Sequence, residues 1–219
     1  MPPDTKLIAF DTSAAHCAAA LLLGDRVITR VDPMAKGQAE HLMPMLEEIL
    51  VSEGISWSDL DAIGVGIGPG NFTGIRISVA AARGLALALG KPAVGVSSLE
   101  AQVFGVNDTV VSCLCAPRNR AYVQVFSPST QSAPTLYTLT PDDLPHLPSK
   151  ADAAVIGNVP HEIAKTMGWQ PIPARYPMIE AMARIAADRM KDTTDRPVPL
   201  YIRSADAAPP RDPAPVLLR

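Results

Sequence analysis

An α/β fold of mixed sheets and helices, organised as two units, is what this sequence predicts. Three observations carry the prediction. Short apolar runs alternate with helical periods in the order β-β-β-α-β-α-β over the first hundred residues. The chain has 219 residues and is 47 % hydrophobic, a size that buries roughly 70 % of its unfolded surface without disulfide or metal staples. Composition shifts near residue 100: 11 of the 14 glycines precede it and 16 of the 22 prolines follow it. The expected units are 1–103 and 104–219.

The elements of the first unit follow in order. Leu7 to Phe10 is a buried strand with a polar exit at Asp11-Thr12-Ser13. Cys17 to Leu23 is a second apolar run, and Arg26 to Val31 alternates as a third strand. The Gly24-Asp25 turn between them marks a hairpin. Lys36 to Glu53 has helical periodicity, with a kink expected at Pro44. Ala62 to Ile67 is a strand entering the loop Gly68-Pro-Gly-Asn-Phe-Thr-Gly74. A second helix covers Thr73 to Leu89, stopped by Gly90 and Pro92, and Ala93 to Val96 is the fifth strand. The antiparallel start followed by parallel crossovers gives a mixed sheet.

The second unit is written less plainly. Val110 to Ala116 and Ala121 to Phe126 read as paired strands around Pro117-Arg-Asn-Arg120. Residues 127–150, rich in Pro, Ser and Thr, read as a surface loop. Ala154 to Gly157 is a short strand, Pro177 to Lys191 an amphipathic helix, and the proline-rich tail from Ala207 is loosely held.

The net charge of −3 and the 19 % charged content exclude a strongly basic nucleic-acid binder and a disordered tail protein. Three cysteines, an odd number without a secretion signal, imply reduced thiols and a cytoplasmic home. The stretch from Ile77 to Gly90 reads as too short and too polar to cross a bilayer, so no membrane is expected.

Both helices carry more apolar surface than one sheet face requires. On a wheel at ~100° per residue, Ala39, Leu42, Met43, Met45, Leu46, Ile49 and Leu50 cover roughly 160°. Either the helix is deeply seated, or the arc splits, with Ala39, Met43, Leu46 and Leu50 on the sheet and Leu42, Met45 and Ile49 facing a partner. In the second helix the only charges are Arg76 and Arg83. Val79, Ala80 and Leu87 lie beside these arginines, opposite a face of Ser78, Ala81, Ala82, Leu85 and Leu89. A docked partner helix, or coverage by the C-terminal unit, would account for that second face.

Candidate chemistry is sparse. The loop at 68–74 lies where amides and a helix start can hold phosphate, so Asp11, Thr12, Gly68, Gly70 and Thr73 form a candidate vestigial nucleotide site. It lacks the Walker Gly-Lys-Ser/Thr, and Thr73 stands where a dinucleotide loop needs glycine. His161-Glu162 lacks the second histidine of a zinc-protease helix, so no metal site and no metallopeptidase are expected. Cys113 and Cys115 read as buried hydrophobes, and no catalytic residue is assigned.

Several strings together resemble the bacterial TsaB (YeaZ) family. They are Leu7-Ile-Ala-Phe-Asp-Thr-Ser13, Glu40-His-Leu-Met-Pro-Met-Leu46, Gly66-Ile-Gly-Pro-Gly-Asn-Phe-Thr-Gly-Ile-Arg-Ile77, Arg83-Gly-Leu-Ala-Leu87, Gly95-Val-Ser-Ser-Leu99 and Pro199-Leu-Tyr-Ile-Arg203. The resemblance is strong over 6–100 and patchy afterwards. It implies an actin-like ATPase (ribonuclease H-like) fold with two related lobes. It also implies a non-catalytic part in forming N6-threonylcarbamoyladenosine at position 37 of tRNAs that read codons starting with A. The implied partners are a TsaD-like transferase, a TsaE-like ATPase and, in their absence, a second copy; tRNA is met indirectly. ATP and threonylcarbamoyl-AMP would be used by the complex, with no cofactor held tightly by this chain. The implied partner face is Leu42, Met45, Ile49, Arg76, Val79, Ala80, Arg83 and Leu87. The sequence departs from the family in Gln38-Ala-Glu-His-Leu-Met-Pro44 and in Ala116-Pro-Arg118, where the family carries Asp-Ala-Arg. An independent actin-like nucleotide hydrolase is the rival reading.

Overall fold

The first three strands pair as an antiparallel meander because each apolar run ends at a turn-forming dipeptide. In the computed structural model, which describes residues 4–139, 154–159 and 161–202, these strands are β1 (Lys6–Asp11), β2 (His16–Leu23) and β3 (Arg26–Pro33). Register runs from Leu7 opposite Leu22 to Leu23 opposite Arg26. Then come α1 (Gln38–Ser52), β4 (Ala62–Gly66), α2 (Phe72–Leu89), β5 (Ala93–Val96) and α3 (Ser98–Val103). Strands β4 and β5 join parallel to β1, and the sheet order is β3-β2-β1-β4-β5.

The second sheet repeats this plan. Its strands are β6 (Val110–Ala116), β7 (Arg120–Phe126), β8 (Thr135–Thr138), β9 (Ala154–Gly157) and β10 (Gln170–Pro171), with α4 (His161–Met167) and α5 (Met178–Arg189). The order β8-β7-β6-β9-β10 again joins an antiparallel meander to two parallel strands. This duplicated layout is the actin-like, two-lobed fold that the sequence implied.

Alternation along β1 divides the first core. Ile8 and Phe10 face α1 and α2, whereas Leu7 and Ala9 face α5. Each fully buried Leu or Phe here contributes about 1.5–3 kcal/mol. The approach of α5 needs small residues: a Cβ on Gly64 would lie 2.9 Å from both the Ala186 and the Ala9 methyls. Helix α3 crosses the other way. Val103 packs with Val110 and Ile156 of the second sheet, and Ser112 Oγ donates to Gln102 Oε1 at 2.8 Å.

Several expectations need correction. A clean division into 1–103 and 104–219 misses this exchange, since α3 and α5 each cover the other unit's sheet. Leu42, Met45 and Ile49 do not face outward; with Leu46 and Leu50 they form one buried face. The α1 arc does split, but the other way: Ala39 and Met43, expected on the sheet, are its exposed members, and α1 continues through Pro44. Val79 is also buried, at 3 % exposure, because it lies on the sheet side of Arg83. Helix α2 has 18 residues and is apolar enough by length and composition to cross a membrane. Here it is a sheet-packed helix, seated through Ile75, Ser78, Val79 and Ala82. Strand β8 forms inside the segment read as loop. The rest of that segment from residue 140 to 150, Arg203 and the proline-rich tail lie outside the described residues.

Candidate functional site

Strand β1 ends at Asp11, two residues before Ser13, which lines a cleft between the two sheets. The carboxylate is buried. Its Oδ2 accepts from Ser13 N at 3.2 Å and Ser13 Oγ at 2.9 Å, with His16 Nε2 3.1 Å away. Its Oδ1 has no hydrogen-bond partner and lies against Gly66, where a Cβ would overlap it. Any side chain at 66 would displace this carboxylate.

The 68–74 loop is clamped onto the β1–β2 turn by one backbone and one side-chain hydrogen bond. Asn71 N donates to Ser13 O at 2.6 Å, and Thr12 Oγ1 donates to Gly74 O at 2.6 Å. Asn71, not Thr73, caps α2, accepting from Gly74 N at 2.9 Å. Thr12 thus meets Gly74 and Gly70 meets Ser13, while Asp11 lies against Gly66, Gly68 packs on Ile75, and Thr73 sits exposed in the first turn of α2. Gly70 is required because a Cβ would overlap Ser13 O. Glycines here serve close packing, and amides of Asn71 and Gly74 are already engaged, which leaves a weaker anion cradle than the sequence suggests.

The cleft itself holds about 400 Å³. Ser13, Asn71 and Ser98 line one side, and Leu114, Cys115 and Tyr122 the other. Among the described residues no lysine or arginine lines it, so nothing there neutralises a phosphate. Among the described residues no three His, Cys, Asp or Glu side chains converge on a metal position. Cys113 is buried and its thiol is pushed up to about 12 by desolvation. Burial, with the charges of Asp32 and Asp11, pushes Cys17 up to about 11. Cys115 corrects the expectation of burial: it is exposed, and its thiol donates to Asn158 O at 3.0 Å.

A second candidate region is the outer face of α2. Arg76, Ala80, Arg83 and Leu87 are all exposed, Leu87 at 80 %. The C-terminal segment runs along one side of this face as a strap. Leu200 N donates to Ile67 O at 2.8 Å, Arg83 Nε to Pro197 O at 2.8 Å and Arg76 Nε to the Tyr201 hydroxyl at 2.9 Å. The Arg76 guanidinium stacks 3.7 Å over Phe72, whose ring centroid is 5.1 Å from that of Tyr201. Both arginines thus meet the chain's own strap. Sequence reading singled out Pro199–Arg203 but could not place it, since Arg76 and Tyr201 are 125 positions apart.

Comparison with known proteins gives a consistent set of relatives. The sequence model for TsaD, the tRNA N6-adenosine threonylcarbamoyltransferase, matches residues 33–129. The tRNA threonylcarbamoyladenosine biosynthesis protein TsaB of Escherichia coli K12 is 36 % identical over 94 residues, 43 % of this chain and 41 % of that protein. Its counterpart in Haemophilus influenzae is 34 % identical over 123 residues, 53 % of this chain and 51 % of that protein. The chain thus spans about half or less of these curated relatives. A Mycobacterium tuberculosis H37Rv protein described as uncharacterized is 31 % identical over 214 residues, 93 % of this chain and 94 % of that protein. Among solved structures, a Pseudomonas aeruginosa protein with similarity to peptidase YeaZ aligns with a TM-score of 0.68 at 25 % identity. That alignment covers 91 % of this chain and 100 % of that one. YeaZ from Pseudomonas aeruginosa aligns with a TM-score of 0.63 at 23 % identity, covering 85 % of this chain and 94 % of that one, a likeness of fold.

Proposed function

The chain belongs to the TsaB (YeaZ) family, and on that premise we propose that it is the non-catalytic subunit that binds and activates a TsaD-like transferase. The product of that complex is N6-threonylcarbamoyladenosine at position 37 of tRNAs that read codons starting with A. The observation that carries this reading is the exposed α2 face. A helix of 18 residues presents Leu87 at 80 % exposure, with Ala80 beside it, as expected of a docking surface. The cleft is consistent with the same reading, because among the described residues no lysine or arginine lines it to meet a phosphate.

In this scheme ATP and threonylcarbamoyl-AMP are used by the complex, and this chain holds no cofactor tightly. A TsaE-like ATPase joins the pair, tRNA is met through the transferase, and the complex works in the cytoplasm. Without its partner the chain pairs with a second copy through the same face.

The test is reconstitution of tRNA modification with this chain omitted and restored, reading modified adenosine by mass spectrometry. Product only when the chain is present, and none from the chain alone, is the expected result. Equal product without it rejects the proposal.

The buried, half-partnered Asp11, bonded to the cleft-lining Ser13, favours one second reading, an independent nucleotide hydrolase. Magnesium-dependent ATP hydrolysis by the isolated chain, lost in Asp11→Asn, would establish it. Absence of ATP binding eliminates it.

A further inference from the structure

We propose that a pocket at the C-terminal end of α2 binds phosphate esters, free or within RNA, through Arg83, Lys91 and Arg196. The pocket is separate from the cleft, and its chemistry does not depend on a transferase being docked.

The pocket holds about 460 Å³ between the last two turns of α2, the start of β5 and residues 193–197. Helix α2 contributes Arg83, the turn after it Lys91, and the returning chain Arg196. Asp195 is the one carboxylate of the lining, which leaves it two positive charges in excess. The cleft between the sheets has no such cations in its lining. A single phosphate fills a small part of this volume, so there is room for the rest of an ester. Ala86 and Pro92 supply an apolar wall for its sugar or base.

These cations lack partners of opposite sign. Arg26, Arg30, Arg184 and Arg189 elsewhere each pair with a carboxylate. Among the described residues Arg83, Lys91 and Arg196 have no carboxylate within ion-pair reach, and the side chains of Lys91 and Arg196 make no hydrogen bond. Arg83 is held on one side only, its Nε donating to Pro197 O at 2.8 Å. That contact fixes the guanidinium and leaves its Nη groups to meet the oxygens of an anion. The carbonyl end of α2 carries about half a negative charge and accounts for Lys91 beside it. It does not account for Arg196, which comes from another segment. Like charges brought to one pocket repel, and a bound anion relieves the repulsion. The whole chain has a net charge of −3, so the attraction is local and fades over about 10 Å at 0.1 M salt.

The experiment titrates the full chain at low salt with AMP, by calorimetry, and with a labelled RNA stem-loop, by fluorescence anisotropy. Lys91→Glu/Arg196→Glu changes two side chains without internal partners and should weaken binding about tenfold or more. Asp195→Asn removes the one opposing charge and should tighten it severalfold. Circular dichroism checks that each variant is folded, and binding should fall as salt rises. Binding of AMP assigns the pocket to a free ester, and binding of RNA alone assigns it to a strand. Either supports the proposal when both variants shift it in the stated directions. Binding that neither variant alters, or no binding of either probe, overturns it. The isolated chain is titrated, so this result stands apart from the reconstitution that tests the docking surface.

Discussion

Thr12 and Gly74 hold each other in place: the Thr12 hydroxyl donates to the Gly74 carbonyl at 2.6 Å, and a Cβ on Gly74 would overlap the Thr12 carbonyl oxygen. This contact seats the start of α2 on the end of β1. Everything the α2 face presents depends on it.

Gly74→Ala should therefore be among the most damaging single-methyl changes in the chain. Backbone atoms block the new methyl, so the helix start must move, at a cost of about 3 kcal/mol or more. Gly84 provides the control. It lies in the same helix, exposed, and a methyl added there would meet nothing within 4 Å. Gly84→Ala should stabilise by about 0.5–1 kcal/mol. Urea unfolding of both variants checks the pair.

Charge placed on α2 should separate docking from folding. Ala80→Glu, on the exposed face, should leave the melting temperature nearly unchanged and abolish co-elution with the TsaD-like partner. Val79→Glu, one residue away but 3 % exposed, should destabilise by about 3–5 kcal/mol because it buries an unpaired carboxylate. Calorimetry with size-exclusion binding distinguishes the two, and equal effects would misplace the docking face.

The thiols should react in a fixed order. Cys115 is exposed and should be alkylated by iodoacetamide at pH ~8 within minutes. Cys17 and Cys113, pushed up to about 11 and about 12, stay protonated and buried until the protein unfolds. Peptide mass spectrometry with and without denaturant reads this directly.

Asp32 links the hairpin to α1, and its carboxyl is held below the usual carboxylate range by hydrogen bonds from Arg30 and His41. Its folded value is the lower one. Its contribution is therefore complete above the ordinary aspartate range near pH ~4 and fades as pH falls through the folded value. Asp32→Asn should flatten the acid side of the stability profile below about pH 4 and leave the alkaline side alone. An unchanged acid limb would show that this half-exposed cluster stabilises nothing.

Much of the first lobe was legible because its signals are local. Apolar runs, turn dipeptides and helix stops lie within a few residues of the elements they define, so β1 to β5 and α2 were bounded to within a residue or two. Helices α3 and α4 and strands β8 and β10 escaped. They are short, and tertiary contacts rather than propensity hold them; β8 exists because Thr135 and Thr138 pair with Val123 and Arg120. The candidate loop was found by its glycines, but their role was not legible. A glycine needed for backbone approach and one needed for phosphate approach look alike in sequence.

The sequence alone determined the order of elements, the turn and cap positions, the apolar excess of two helices and the family. Each is a property of neighbours along the chain or of motif spacing. Only the tertiary structure decided which side of each helix is buried, since a wheel assigns an arc but not the direction of the sheet. Only it showed α5 closing the first sheet from more than a hundred residues away, and Tyr201 reaching back to orient Arg76. Those relations depend on the exchange of helices between the sheets, a long-range packing choice that no local pattern encodes.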